Sequence, residues 1–361
     1  MIRVAVIGSG VVGGAIAYEL SKINKYQITL LDQGQPASGA TGAALGVMMG
    51  VISYKFKGRA WQLRHTSLQR YESLIPELEA ITSLSSPYHR QGILKLTNNQ
   101  QELAKWQELV KIRQEQGLRL EIWDNQRIHT HCPQIDIDTN QILACLYSPD
   151  DRQVNPSILT QALVTAATQQ GVNCLFGVKV ENLISNSPSH CGLIETTSGN
   201  LEVDWVIIAA GIGSTPLIKS LSIRPVLGQA IQIKLPQNLT ATDFEPIITG
   251  DDVHIVPLGK GEYWLGATVE FESEDQEITP DLTQLDIVTQ KAIAFCPALA
   301  TGEIVNSWFG LRPRPDHRPA PIIENLTGYN NVILATGHYR NGVMLAPATA
   351  MAIVEMLNSS N

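Results

Sequence analysis

Gly8, Gly10 and Gly13 stand in G-x-G-x-x-G spacing directly after the apolar run Val4-Ala5-Val6-Ile7. Ala15-Ile16-Ala17-Tyr18-Glu19-Leu20 follows, then Gln27-Ile28-Thr29-Leu30-Leu31 and Asp32. Strand, glycine turn, helix, strand and acid thus come in the order a dinucleotide site needs. Gly8 permits the tight turn, and Gly10 lets backbone approach a pyrophosphate. Gly13 lets the helix pack close to the sheet, and the helix N-terminus, opened by Val11 and Val12, faces the phosphates. Asp32 can accept from ribose hydroxyls. A glycine-rich turn without a ligand is the plain alternative, and the signature alone leaves NAD and FAD both open.

Two arginines are placed for anion chemistry. A guanidinium is planar, permanently charged and able to grip a carboxylate with two hydrogen bonds. Arg312 lies in Phe309-Gly310-Leu311-Arg312-Pro313, read as a loop framed by glycine and proline, and Arg340 lies beside a glycine turn. Arg314 and Arg318 flank Asp316, a pattern that reads as an exposed ion-pair cluster. His254 can donate a hydrogen bond and change charge near neutral pH, or it is a core or edge-strand histidine with a backbone partner. His129 and His131 alternate as on one face of a strand, too few ligands for a metal, and none is expected. The five cysteines form no CxxC pair and are odd in number, which fits free thiols in a reducing cytoplasm.

The elements that must position these groups follow from periodicity. A small-residue stretch, Ala37 to Gly46, leaves room for a ligand or another backbone. Helical patterns cover 58–81, 100–116, 156–170 (stopped by Gly171) and 348–357. Strand patterns cover 89–97, 173–183, 192–197 and 226–271. Val203–Gly213 and Asn331–Gly337 read as strands buried on both faces, each ending in a glycine turn. The N- and C-terminal pieces therefore join one α/β layer, with a β-rich part inserted.

Bulk properties bound the class. Net charge is −8, from 26 basic and 34 acidic side chains, which gives no support for non-specific binding to nucleic acid or membranes. With 361 residues, two domains are expected. The opening strand leaves no room for a cleavable signal, and no uninterrupted apolar run suggests a membrane span.

The glycine signature with Asp32, the 37–46 stretch, Val206–Gly211, Phe309–Pro313 and Gly337-His338-Tyr339-Arg340-Asn341-Gly342-Val343-Met344-Leu345-Ala346-Pro347-Ala348-Thr349 together resemble the D-amino-acid oxidase family of FAD enzymes. The likeness spans nearly the whole chain and is strongest to the glycine-oxidising branch that serves thiamine biosynthesis. It implies a Rossmann-like FAD-binding domain, residues 1–85, 148–224 and 310–361, and a mainly antiparallel substrate domain, residues 86–147 and 225–309.

The resemblance implies FAD rather than NAD, held without a covalent bond, since no cysteine lies near the C-terminal segment. Gly8, Gly10, Val11, Val12 and Gly13 would hold the pyrophosphate and Asp32 the ribose. Val178 would touch adenine through its backbone, and Ala210 and Gly211 would pass the cofactor. Thr41, Gly42, Ala43, Ala44, Gly46, Val47 and Met48 would run beside the flavin ring. His338, Arg340, Asn341, Gly342, Val343 and Met344 would close over it. Arg312 falls where the family binds the substrate carboxylate, and Arg340 where a second active-site arginine offers its carbonyl to the amine. His254 stands where the glycine-oxidising members carry a tyrosine, before Ile255-Val256-Pro257.

The reaction so implied moves a hydride from glycine, sarcosine or a small D-amino acid to the flavin. The imine hydrolyses, and oxygen regenerates the cofactor with release of hydrogen peroxide. A dehydrogenase with another acceptor and an inactive FAD-binding protein are the alternatives. A cytoplasmic homo-oligomer is expected.

Overall fold

The computed structural model describes residues 1–85, 88–239, 243–272 and 278–359. The expected domain boundary at 85/86 adjoins residues 86 and 87, which lie outside these. A six-stranded sheet runs in the order Ile322–Asn325, Val332–Thr336, Trp205–Ile208, Ile2–Ile7, Tyr26–Asp32, Asn173–Phe176. All neighbours are parallel except the first pair. Its central strands are apolar along their length because helices cover the sheet. Helix Val11–Ser21 is buried nearly all round, between the sheet and helices Pro156–Gln169 and Gly342–Ser359. Asn155 caps the second of these, its side-chain oxygen accepting from Ser157 and Ile158 N–H at 3.1 Å, with Pro156 at the first helical position.

The second sheet runs Glu270–Phe271, Ile223–Lys234, Glu262–Gly266, Val253–Gly259, Ile247–Gly250, Ile93–Thr97, Ala144–Ser148, Glu121–Trp123, with Glu303–Pro315 along the free side of Ile223–Lys234. It is antiparallel except for one parallel pair, Ile247–Gly250 with Ile93–Thr97. Strand alternation gives it two faces. Ile231, Ile233, Val253 and Ile255 pack under helix Leu282–Phe295 in one core. Ala230 and Val256 point the other way, into the core shared with the parallel sheet. Gly228 and His254 share that second face.

Several expectations are corrected. His129 and His131 lie in a helix, Asn125–His131, because the Asp124 side chain accepts from Arg127 N–H at 2.8 Å and starts one. The 89–97 strand breaks into Tyr88–His89 and Ile93–Thr97 at Gly92, φ +78°. The 173–183 strand breaks at Gly177, and its halves enter different sheets. Arg312 is on no loop: Glu303–Pro315 is one strand, and its prolines are tolerated because it pairs on one side only. Asp316 pairs with Arg224 at 3.0 Å and Arg318 with Glu324 at 2.7 Å, while Arg314 lies over the Phe271 and Tyr339 rings.

The last helix starts at Gly342, not 348, and continues through Pro347. With the preceding turn it is long and apolar enough to cross a membrane by length and composition. Here Val343–Ala350, Ile353 and Leu357 are buried, and it packs on Val11–Ser21 and Gly58–Thr82.

Candidate active site

The turns that follow three parallel strands meet at one edge of the six-stranded sheet. Gly8 has φ +107°, which disfavours any side chain. A Cβ on Gly13 would overlap the Gly8 carbonyl oxygen, so the helix seats against the turn only with glycine there. Gly10 precedes the helix and offers no side-chain cap; the Val11 N–H donates instead to Thr41 Oγ1 at 3.1 Å. The Thr336 hydroxyl donates to the Gly211 carbonyl at 3.2 Å and accepts from Ser214 at 2.8 Å, which ties the second and third turns together.

Asp32 ends the second strand at this edge. Its Oδ2 accepts from Ser9 N–H at 2.6 Å and Ser9 Oγ at 2.9 Å, and its Oδ1 accepts from Gly34 N–H at 2.8 Å. Oδ1 therefore retains capacity for a further donor. The Val178 N–H is already given to the Asp32 carbonyl at 2.9 Å, so the Val178 carbonyl is its freer backbone group.

The small-residue stretch is laced on both sides. Gly42 N–H donates to Ala37 O at 2.9 Å, and Val154 N–H to Gly46 O at 3.2 Å. Val47–Met48 pairs with Arg152–Gln153. Trp308 Nε1 donates to Ala43 O at 3.1 Å, and a Cβ on Gly310 would overlap the Ala43 methyl group. Glu303–Pro315 thus lies directly on this stretch. Farther along, Pro313 packs near Gly211 and Pro315 near Gly337. That strand carries Arg312 past two of the three turns.

The Arg312 guanidinium lies across Gly228, where no side chain could share the space. Its Nη1 donates to Leu227 O at 3.1 Å and Thr268 O at 3.0 Å. No carboxylate pairs with it among the described residues. Burial, then the nearby Arg340, pulls its pKa below the usual arginine value. Arg340 reaches 3.7 Å from Asp252, on a two-residue hairpin turn where Asp251 and Asp252 both have positive φ. The same turn leads into His254. Burial pulls the His254 pKa down to about 4, and Arg340 and Arg312 add to the shift. Its Nδ1 is buried without a partner. Arg312, Arg340 and His254 therefore form one electropositive cluster.

The closing helix carries a built-in defect. Pro347 has no N–H for the carbonyl of Val343, four residues earlier. Buried Tyr71 supplies the missing donor, with its hydroxyl 2.5 Å from Val343 O, and Ser67 Oγ accepts from Ala348 N–H at 3.2 Å. Tyr71→Phe is expected to cost about 1–3 kcal/mol, the penalty of an unsatisfied buried carbonyl. Thermal unfolding would measure it. Pro347→Ala in the same background should recover part by returning an N–H; no recovery would contradict this account.

His338 is buried with Nε2 2.9 Å from Thr349 Oγ1. The Thr349 hydroxyl donates to Leu345 O at 2.8 Å, so His338 Nε2 is the donor. Burial pulls its pKa, too, down to about 4. Both histidines then fold with pKa values below their unfolded ~6.5. The unfolded chain takes protons first, so this stabilisation is complete above about pH 6.5 and is lost as pH falls toward 4, by up to about 1.4 kcal/mol per unit for each ring. Denaturant unfolding at pH 7 and 4.5 should show a smaller acid loss in His254→Asn/His338→Gln. An equal loss would sink the assignment.

Some residues at this edge carry no sequence signal. Asp151 is fully buried, Oδ1 accepting from Gly50 and Val51 N–H at 2.7 and 2.8 Å and Oδ2 from Ile52 N–H at 2.8 Å. Arg113, also fully buried, donates to the carbonyls of Val51 and Ser53 at 2.7 Å and of Lys55 at 3.2 Å. One loop is thus held through its N–H groups by a carboxylate and through its carbonyls by a guanidinium. Gly228 could have been suspected as a glycine inside a strand.

A parallel sheet with glycine turns at one edge, joined to an antiparallel sheet that presents arginines beside them, is the architecture of a dinucleotide-dependent oxidoreductase. Residues 3–356 match the family of FAD dependent oxidoreductases, DAO. The chain belongs to that family, its cofactor is FAD, and its fold is the two-domain one of the family. It is 31% identical to the bifunctional protein ThiO/ThiG of Trichormus variabilis over 98% of this chain and 52% of that protein. The chain thus spans about half the length of that relative. It is 28% identical to glycine oxidase of Bacillus subtilis over 98% of this chain and 92% of that protein. The solved glycine oxidase of Bacillus cereus superposes with a TM-score of 0.87 at 23% identity, covering 100% of this chain and 96% of that one, which speaks for the fold.

Proposed function

We propose that the protein oxidises glycine, sarcosine or a comparably small D-amino acid, with molecular oxygen as acceptor and hydrogen peroxide as product. The observation that carries this reading is Arg312: a half-buried guanidinium, anchored by two carbonyls, with no carboxylate partner among the described residues, beside a dinucleotide edge. A substrate carboxylate supplies the missing anion. The Arg340 carbonyl accepts from the amine, and His254, neutral at pH 7, stands at the rim of the same cluster. Residues 1–85, 148–224 and 310–361 serve the cofactor, and residues 86–147 and 225–309 the substrate, with Arg312 reaching the substrate from the strand Glu303–Pro315 that crosses the boundary between them.

The fit of the edge to FAD is supported by its chemistry. Gly8, Gly10 and Gly13 leave a helix start open to a pyrophosphate, Asp32 Oδ1 can take a ribose hydroxyl, and the Thr41 to Met48 segment lies against the second sheet through Ala43, with Asn341 to Met344 read as closing over the ring. None of the five cysteines belongs to these segments, in keeping with non-covalent binding. FAD supplies the hydride acceptor. The protein's part is orientation, which alone lowers a barrier by several kcal/mol. We further read the protein as a cytoplasmic homo-oligomer serving thiamine biosynthesis; the similarity to the bifunctional protein ThiO/ThiG supports the last of these.

The test is an anaerobic panel of glycine, sarcosine and D-amino acids added to the yellow holoprotein. Bleaching by a small amino acid is expected, followed on aeration by one peroxide per turnover. Failure of every member to bleach the flavin would overturn the reading. Bleaching without peroxide on aeration would mark a dehydrogenase that uses another acceptor.

A further inference from the structure

Behind the start of the closing helix lies a buried cluster with more positive than negative charge. Arg64 is 9% exposed, and Arg113 and Asp151 are fully buried. Asp151 spends its oxygens on backbone N–H groups and makes no ion pair with either arginine. Arg113 is well satisfied, with backbone carbonyls, Gln116 Oε1 at 2.7 Å and the face of Trp61 at 3.8 Å. Burial, with Arg64 nearby, still pulls its pKa down to about 10.

Arg64 is not satisfied. Its Nη1 donates to Ala60 O at 2.9 Å and its Nη2 to Asn341 Oδ1 at 3.1 Å, while its Nε is buried without a partner. A guanidinium has five N–H donors, so most of its capacity is unspent where water has little access. A buried cation in that state is costly unless something repays it, and a packed apolar side chain would serve a purely structural role better. The acceptor it does hold, Asn341, immediately precedes Gly342–Met344.

We propose that Arg64 is a positioning residue for the FAD ring: it fixes Asn341, and its buried charge offsets the negative charge the ring gains on reduction. This rests on the reading that Gly342–Met344 borders the flavin. In the proposed reaction the substrate C–H bond breaks, and its hydride, two electrons and one proton, forms an N–H bond on the ring. The amine lone pair closes the C=N bond. The organic product is one unit more positive and the ring one unit more negative. A fixed buried cation favours that separation.

Sulfite tests this without turnover, because it adds to the oxidised ring and puts the same charge on it. The FAD-loaded protein is titrated with sodium sulfite, and the visible flavin band is followed. Arg64→Met should weaken sulfite binding at least about tenfold, and Arg64→Lys should restore it to within about threefold. Arg64→Gln, which can keep the Asn341 hydrogen bond, should behave as Arg64→Met and serves if the latter does not fold. A neutral variant that loads FAD and binds sulfite within about twofold of the parent would overturn the proposal, as would an FAD-loaded parent that does not bind sulfite. If amino acids fail to bleach the parent while the sulfite differences appear, the substrate reading fails and this one stands.

Discussion

Arg312→Met is expected to lower kcat/KM for the preferred amino acid about 10²- to 10³-fold, mostly through KM, while FAD content stays at the parental level. Truncating one partner of a desolvated charge pair costs about 2–5 kcal/mol, and the middle of that range gives this factor. The split follows from position: the guanidinium is anchored to Leu227 O on the second sheet and to Thr268 O in the connection that follows Glu262–Gly266, and it lies outside the glycine turns. Arg312→Lys should rescue little, since an ammonium cannot both keep these anchors and present a planar fork. Anaerobic rapid-mixing rates across a range of substrate concentrations would separate binding from the reductive step. A variant with parental KM would remove Arg312 from substrate binding.

Asp151→Ala is expected to be the most damaging change to stability. It strips acceptors from three buried N–H groups and leaves Arg113 and Arg64 without the buried carboxylate near them. Removing one member of a buried charged group costs about 3–5 kcal/mol, a large share of a domain's total. Asp151→Asn should be milder, because an amide oxygen can still accept two of these N–H groups. Denaturant midpoints would rank the three proteins. An Asp151→Ala variant as stable as Asp151→Asn would show that the loop does not depend on the carboxylate.

The parts of this molecule legible in the sequence are those in which one residue type has a local steric or periodic reason. Gly8 and Gly13 are such cases, as are the buried strands that end at Gly211 and Gly337. Helix Gly58–Thr82 matches its apolar spacing to within a residue. The position of Arg312 was legible from its motif, but its strand was not. Glycine and proline signal a loop locally, and only the one-sided pairing with Ile223–Lys234 shows that an edge strand tolerates them. The helix carrying His129 and His131 was hidden because a single cap at Asp124 outweighs a short alternating pattern. Asp151, Arg113 and Arg64 were invisible for another reason. They act on the backbone of a loop distant in sequence, and backbone partners leave no trace in residue types. Tyr71 belongs with them, since its partner is a carbonyl freed by a proline 276 positions later.

The strand Glu303–Pro315 lies on Ala43 at one end, carries Arg312 in its body, and ends near Gly211 and Gly337. The gap between the proposed anion anchor and the cofactor edge is therefore spanned by a two-stranded ribbon, since Ile223–Lys234 pairs with this strand along its length and Ile223 also reaches Gly337. A swing of one sheet against the other would have to bend this ribbon before it could widen the gap. On the proposed function, backbone would then meter substrate length, as a fixed gauge does. Acceptance of longer amino acids would be sought by trimming side chains that face the gap, and loosening the joints between the sheets offers no route to it.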